Sequence, residues 1–253
     1  MKILKNSGNF KVLNKTDNVI ENIASAARVC YQSQEKSSPE NDLKLVKNII
    51  NRNHYAMLEF ADITVRFDLI CRGLTHEDVR HRLSSFAQES TRYVDESDFK
   101  VVVPPHKNEN EEIINLKIKN KFIKLSLSDW FELNEQTYRS LRKNKWKPED
   151  ARQILPIAIK TQIVHKANLS EWRHIFTMRC DKFAHWEIRG VMLKFLKWCK
   201  DNIPIIFDDF YFFNDDGIEY AKPVMNAYNL GIKLNDYIKA GLDINEVLKK
   251  INL

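Results

Sequence analysis

Residues 62 to 69 alternate without a break. Ile63, Val65, Phe67 and Leu69 fall on one face of an extended chain, and Asp62, Thr64, Arg66 and Asp68 on the other. This is the pattern of a half-buried strand, predicted over Leu58 to Ile70, so the chain contains a sheet. A second alternation, with Ile157, Ile159, Thr161, Ile163 and His165 in step, predicts a strand from Pro156 to Ala167. Met1 to Leu4, and Phe99 to Val103 before Pro104 and Pro105, read as shorter strands. Apolar residues at helical spacing predict helices over Asn18 to Val29, Glu40 to Asn53, Leu74 to Leu83, Glu111 to Lys143 (lysine-rich outside, apolar inside) and Ala184 to Asp201. Glu149 to Leu155 reads as a short helix ended before Pro156. Ser170 reads as a helix cap with Glu171 in the positive first turn. Ile205 to Tyr220 reads as a helix or irregular aromatic cover, and Leu234 to Leu253 as a terminal helix. The fold class is α+β, an antiparallel sheet flanked by helical layers.

The 253 residues are 43% hydrophobic and 29% charged, which excludes a disordered or collagen-like chain and allows a full core. Neither a repeat period nor a linker-like stretch interrupts them, so residues 1–253 are expected to form a single compact domain. No apolar run approaches the roughly 20 residues of a bilayer span, and MKILKNSGNFK lacks the apolar core of a signal peptide. A cytoplasmic location is the expectation. Cys30, Cys71, Cys180 and Cys199 lie far apart without CxxC or CxxH pairing, which argues against a disulfide framework or zinc site. The formal charge of +6 favours phosphate-bearing partners of either kind, nucleic acid or small ligand. None of the six glycines is spaced for GxGxxG or a Walker loop, so any nucleotide is held without a glycine cradle.

The densest chemical signal is RHRLSSFAQESTRY, Arg80 to Tyr93. Adjacent like charges repel, and guanidinium forks suit bidentate contact with phosphate or carboxylate, so a phosphorylated ligand is the natural counterion of Arg80, Arg82 and Arg92. The bland alternative for such a triplet is a solvated helix end. Ser90 lacks the GxSxG elbow of a nucleophile, and Arg92 two residues on points to phosphate binding instead. His185, Trp186 and Glu187 carry half of a zinc-deaminase pattern without its PCxxC partner, and His76, His81 and Cys71 have no ligand spacing, so no metal is assigned. Trp172, Phe176, Phe183, Trp186, Phe195 and Trp198 fall mostly at helical intervals and read as core.

The Arg80-His81-Arg82 triplet, followed by Ser90, Arg92 and Tyr93, resembles the motif of the flavin-dependent thymidylate synthases. Further blocks agree in order and spacing: AARVC at Ala26 to Cys30, HYAMLE with His54, Leu58 and Glu59, ARQILP with Arg152, Leu155 and Pro156, and Asn168 leading to Arg179, Ala184, Trp186 and Glu187. The resemblance covers residues 26–190 and leaves a C-terminal extension, 205–253, unassigned. It implies a homotetramer with sites between subunits that binds FAD, dUMP, NADPH and 5,10-methylenetetrahydrofolate. The reaction it implies is reductive methylation of dUMP to dTMP without an enzyme nucleophile.

By the same resemblance, dUMP is enclosed by Glu77, Asp78, Val79 and Arg80 and by Gln88, Glu89, Ser90, Thr91 and Arg92, with Arg152 as a further ligand. The flavin falls to His54, Ala56, Arg80, His81, Arg82, Gln88, Asn168, Leu169, Ser170 and His174. Arg179 matches the arginine set against the uracil ring, where a fixed cation stabilises developing negative charge. Its alternative is a structural pair with Asp181. Gln88 stands where many members carry glutamate, Ala56 where many carry serine or threonine, Ser170 where arginine is frequent, and Cys30 in place of serine. Two rival functions are a basic helical module binding RNA or DNA through the lysines of Lys117 to Lys147 and the arginines near position 80, and a related flavin enzyme acting on another phosphorylated pyrimidine. The leading expectation is a partner set without nucleic acid or membrane.

Overall fold

The computed structural model of the protein describes residues 2–5, 8–111 and 113–224. Its strands are β1 (Lys2–Leu4), β2 (Asn9–Lys15), β3 (Asp62–Cys71), β4 (Ser84–Gln88), β5 (Lys100–Val102), β6 (Ile113–Ile118), β7 (Lys121–Ser126), β8 (Lys160–Asn168), β9 (Phe210–Asp215) and β10 (Ile218–Pro223). Its α-helices are α1 (Val19–Val29), α2 (Pro39–Asn51), α3 (Arg72–Asp78), α4 (Leu127–Lys143), α5 (Pro148–Ala151), α6 (Leu169–Arg179) and α7 (Trp186–Asn202). The described residues fall into two compact units. One comprises the described parts of Met1–Asn14 and Ile63–Ala167 with Phe183–Met192, and the other Lys15–Asp62, Asn168–Lys182 and the described part of Leu193–Leu253.

The first unit is built on a four-stranded sheet ordered β2-β3-β8-β4. β4 runs antiparallel to β8 from Ser84 opposite Ala167 to Gln88 opposite Ile163. β2 also runs against β3, because Gly8 donates to the Leu69 carbonyl at 2.9 Å and Thr16 to that of Asp62 at 3.0 Å. The alternation holds as far as Phe67: Ile63, Val65 and Phe67 are fully buried. Leu69 departs from it. Its φ of 55° is left-handed, the strand slips by one residue, and Ile70 and Cys71 turn inward while Leu69 stays 37% exposed. Gly8, at φ 91°, fits where a Cβ would stand 3.1 Å from that of Val191. A separate cluster of Phe99, Val101, Val103, Phe131 and Ile159 fills the space beside the parallel pair β1 and β5.

The helix expected over Glu111 to Lys143 is instead a hairpin followed by a helix. Ile114, Leu116, Ile123 and Leu125 repeat every second residue, and β6 pairs with β7 from Ile113 opposite Ser126 to Ile118 opposite Lys121. The two-residue loop turns through Lys119 at φ 51°. Helical periodicity begins only at Leu127, where Ser126 and Asp129 form a capping box. The lysines of 117–124 therefore stand on a hairpin. The helix expected over Leu74 to Leu83 ends at Asp78, and β2 and β4 form where none was expected.

In the second unit α1 and α2 are tied by a buried pair, Arg28 to Asp42 at 2.6 Å, with Ser37 donating to the same carboxylate at 2.8 Å. Trp172 and Phe176 of α6 pack on Phe195, Phe207 and Phe210, and the Trp172 ring meets Phe195 edge-on at 4.9 Å. Phe183 is not core; it is 92% exposed. The cap of α6 is Asn168, whose side chain accepts from the Glu171 amide at 2.8 Å, and Ser170 lies inside the first turn. The cover expected over Ile205 to Tyr220 contains a hairpin, β9 with β10, turning through Asp216 and Gly217, both at positive φ. The helix expected over Leu234 to Leu253 lies outside the described residues. No helix among the described residues is long and apolar enough to cross a membrane.

Candidate active site

In the first unit, the segment after β4 turns sharply: the amides of Tyr93 and Val94 both donate to the Ser90 carbonyl, at 3.1 and 2.9 Å. The turn sets Ser90, Thr91 and Arg92 side by side, with the Arg92 amide donating to Ser90 Oγ at 3.3 Å. Arg152 reaches the same place from the turn after α5. Its guanidinium donates to Thr91 Oγ1 at 3.4 Å and to the Glu149 carbonyl at 3.2 Å. Arg92 stands 3.5 Å from the Glu149 carboxylate, an exposed and long contact worth little, which a phosphate can displace. Ser90, Thr91, Arg92 and Arg152 thus form one cationic, hydroxyl-bearing cluster, the donor set that suits a phosphate monoester.

Behind this cluster lies a layer of which the sequence patterns picked out only Glu89. Arg72, the first residue of α3, donates to the Glu89 carbonyl at 2.7 Å. The Glu89 carboxylate accepts from Lys160 at 3.2 Å and from Gln162 at 3.0 Å. Lys160 and Gln162 alternate on the wetter face of β8, while Thr161, Ile163 and His165 are fully buried. That alternation was the available signal. Glu96 is 8% exposed, and burial together with the nearby Glu89 pushes its carboxyl up to about 7. Beside Glu89 opens a cavity of about 390 Å³ lined by Arg66, Gln88, Val94 and Gln162 among others.

The remaining candidates of this unit divide by exposure. The Gln88 amide points inward, donating to Thr75 Oγ1 at 2.9 Å. Asp78 is fully buried against His165, whereas Val79 is 41% exposed. Glu77 is half-buried, 3.9 Å from His185. Arg80 and Arg82 are exposed and flank the buried His81, and among the described residues no carboxylate pairs with either guanidinium. Unneutralised neighbouring cations of this kind fit an anionic dinucleotide. Cys71 caps α3, and its thiol donates to Glu187 at 2.8 Å; burial and that carboxylate push it up to about 12, so it stays a thiol.

In the second unit His54 and Ala56 border a cavity of about 490 Å³ together with Cys30, Tyr31, Arg52 and Met57. The 3₁₀ turn Tyr55–Phe60 that carries Ala56 is fixed by Arg173 of α6, which donates to Tyr55 Oη at 3.1 Å and to Asp209 at 2.6 Å. At the start of α6 the Asn168 oxygen is used by its own cap, and Leu169 is fully buried with its amide on the Ala61 carbonyl at 2.9 Å. Ser170 is half-buried and His174 exposed. Arg179 is the last residue of α6 and half-buried.

The family model described as thymidylate synthase complementing protein matches residues 11–205. Flavin-dependent thymidylate synthases of Mycolicibacterium vanbaalenii and Mycobacterium leprae are each 34% identical, over 193 and 198 residues, covering 73% of this chain and 77% of theirs. A solved UMP/dUMP methylase, PolB from Streptomyces cacaoi bound with 5-Br dUMP, superposes with a TM-score of 0.64 over 82% of this chain and 96% of its own. At 16% identity that likeness is one of fold.

Proposed function

The chain belongs to the flavin-dependent thymidylate synthase family, and on that premise we propose which of its residues carry the reaction. It is an FAD-dependent enzyme of the methyltransferase type that converts dUMP to dTMP. The carbon donor is 5,10-methylenetetrahydrofolate and the reductant NADPH. What FAD supplies when bound is the hydride that completes the methyl group. The working unit is a homotetramer with sites between subunits, each 253-residue chain acting as one catalytic domain in the cytoplasm.

The observation that carries the reading is the convergence of Ser90, Thr91, Arg92 and Arg152 around the turn after β4. Arg92 and Arg152 neutralise the dUMP phosphate, and Ser90 and Thr91 add hydroxyl donors to it. Their work is binding and orientation: fixing the phosphate fixes where the uracil lies. The backbone of Glu77, Val79 and Arg80 closes the nucleotide's other side. Arg80, His81 and Arg82, and likewise His54, Ala56, Asn168, Leu169, Ser170 and His174, are assigned to the flavin, with Gln88 contributing its backbone. Arg179 is the catalytic residue. Its cation stabilises the negative charge that develops on the pyrimidine as carbon 5 attacks the methylene carbon. No side chain attaches covalently to carbon 6.

The test is an anaerobic visible spectrum of purified, FAD-loaded protein. Addition of NADPH with dUMP is expected to bleach the flavin bands. A colourless protein that takes up no FAD, yet binds oligonucleotides with a steep salt dependence, would contradict the reading.

A further inference from the structure

We propose that Glu89 is a positioning residue that anchors the phosphate-binding turn, not a group that touches the nucleotide; this rests on the reading of Ser90, Thr91, Arg92 and Arg152 given above. Glu89 is the link between the end of β4 and that turn. Each of its polar functions is engaged from inside the first unit. Its amide donates to the Gln162 carbonyl at 3.0 Å, and its own carbonyl accepts from Arg72 at 2.7 Å. Its carboxylate accepts from Gln162 at 3.0 Å and from Lys160 at 3.2 Å, with the side chain only 11% exposed. The donors come from α3 and β8, so one residue pins the turn to two separate elements.

Charge decides against a ligand contact. To reach a phosphate, this carboxylate would have to leave Lys160 and Gln162 and bring a negative charge up to another. Kept where it is, it holds Ser90 in register and offsets the cations of Arg72 and Lys160. A second carboxyl faces the same interior. Glu96 is surrounded by Glu89 from the strand end, Lys160 from β8, Arg72 from α3 and its neighbour Asp95, and its amide donates to Tyr138 Oη of α4 at 3.3 Å. Neutralising Glu89 removes a repulsion from Glu96, which then ionises at lower pH.

The experiment is calorimetric binding of dUMP to FAD-loaded wild type, Glu89→Gln, Lys160→Met and the double variant between pH 6 and 8.5, with kcat measured in parallel. Glu89→Gln is expected to raise the Kd for dUMP about tenfold and to change kcat by less than about threefold. The double variant should bind no more weakly than the worse single one, because the two residues act through each other. The titration of the Glu96 carboxyl, followed by NMR of carbon-13-labelled glutamate, should move to lower pH in Glu89→Gln, a shift that a loss of packing alone would not produce. An unchanged Kd, additive losses in the double variant, or a fall in kcat at unchanged Kd would each overturn the proposal. If Glu89→Gln does not fold, Lys160→Met alone decides by the same Kd criterion. Wild type that binds dUMP but forms no dTMP contradicts the assigned reaction while the variant Kd values still judge Glu89; wild type that binds no dUMP ends both.

Discussion

Nδ1 of His165 lies 3.1 Å from Oδ1 of Asp78, with both side chains fully buried. Asp78 is the last residue of α3 and Phe86 of β4 packs its ring 4.4 Å from the imidazole, so the pair fastens the end of α3 to the sheet two residues before Arg80. A carboxylate at the carbonyl end of a helix is poorly placed without a compensating partner, and the His165 imidazole stands beside it.

Removing one member of the pair should therefore cost more than removing both. His165→Leu is expected to lower the unfolding free energy by about 3 kcal/mol, because the Asp78 carboxylate is left buried. Asp78→Leu combined with His165→Leu should recover most of that loss. Urea unfolding of the three proteins checks both, and a double variant as unstable as the single would contradict the account.

The raised carboxyl of Glu96 gives stability a pH dependence of definite sign. Between its unfolded value near 4.5 and its folded value of about 7, the folded state holds a proton that the unfolded chain has lost. The stabilisation is complete below about 4.5 and is lost as pH rises through 7, a decline of about 3 kcal/mol contributed by this group. In Glu96→Gln that part of the decline should vanish in urea titrations at pH 5, 6, 7 and 8.

Thiol reactivity should single out one cysteine. Cys30 is exposed, whereas Cys71, Cys180 and Cys199 are buried and their thiols are pushed upward by burial. Titration of the native protein with a chromogenic disulfide at pH 8 is expected to modify Cys30 alone, and the denatured chain to react at all four positions. Rapid native labelling of Cys71 would contradict its contact with Glu187.

Arg92 and Arg179 should fail in different ways. Arg92→Ala is expected to raise the KM for dUMP by about 10- to 100-fold at nearly constant kcat, through loss of charged hydrogen bonds to phosphate. Arg179→Ala should lower kcat by about 10²- to 10³-fold, through loss of stabilisation of the developing anion. Ser90→Ala should weaken dUMP binding and leave measurable turnover. Steady-state kinetics in dUMP separate these outcomes, and uniform effects across the three variants would undermine the division.

What could be read from the sequence follows from which interactions are local. β3 and β8 declared themselves because one wet face and one dry face impose period two on their residues. The β6 and β7 hairpin was hidden by its position against α4: apolar residues every second place run directly into apolar residues at helical spacing, and the lysines suit either. β4 was hidden because SSFAQ, inside the Arg80 to Tyr93 motif, shows no clean alternation. Arg80, Arg92 and Arg152 were legible from the pattern they share with a family. The anchoring of Glu89 was not, because Lys160 lies 71 residues from it in the chain and only β8 brings them together. The inward turn of Asp78 depends in the same way on His165, 87 positions along the chain but one ring-width away in the fold.

The central claim is tested most directly by release of tritium from carbon 5 of labelled dUMP. With FAD, NADPH and 5,10-methylenetetrahydrofolate present, the expected result is tritium release matched by dTMP formation, and no release when NADPH is left out. Absence of release in the complete mixture, or release of the label through a nucleotide covalently attached to the protein, would contradict it.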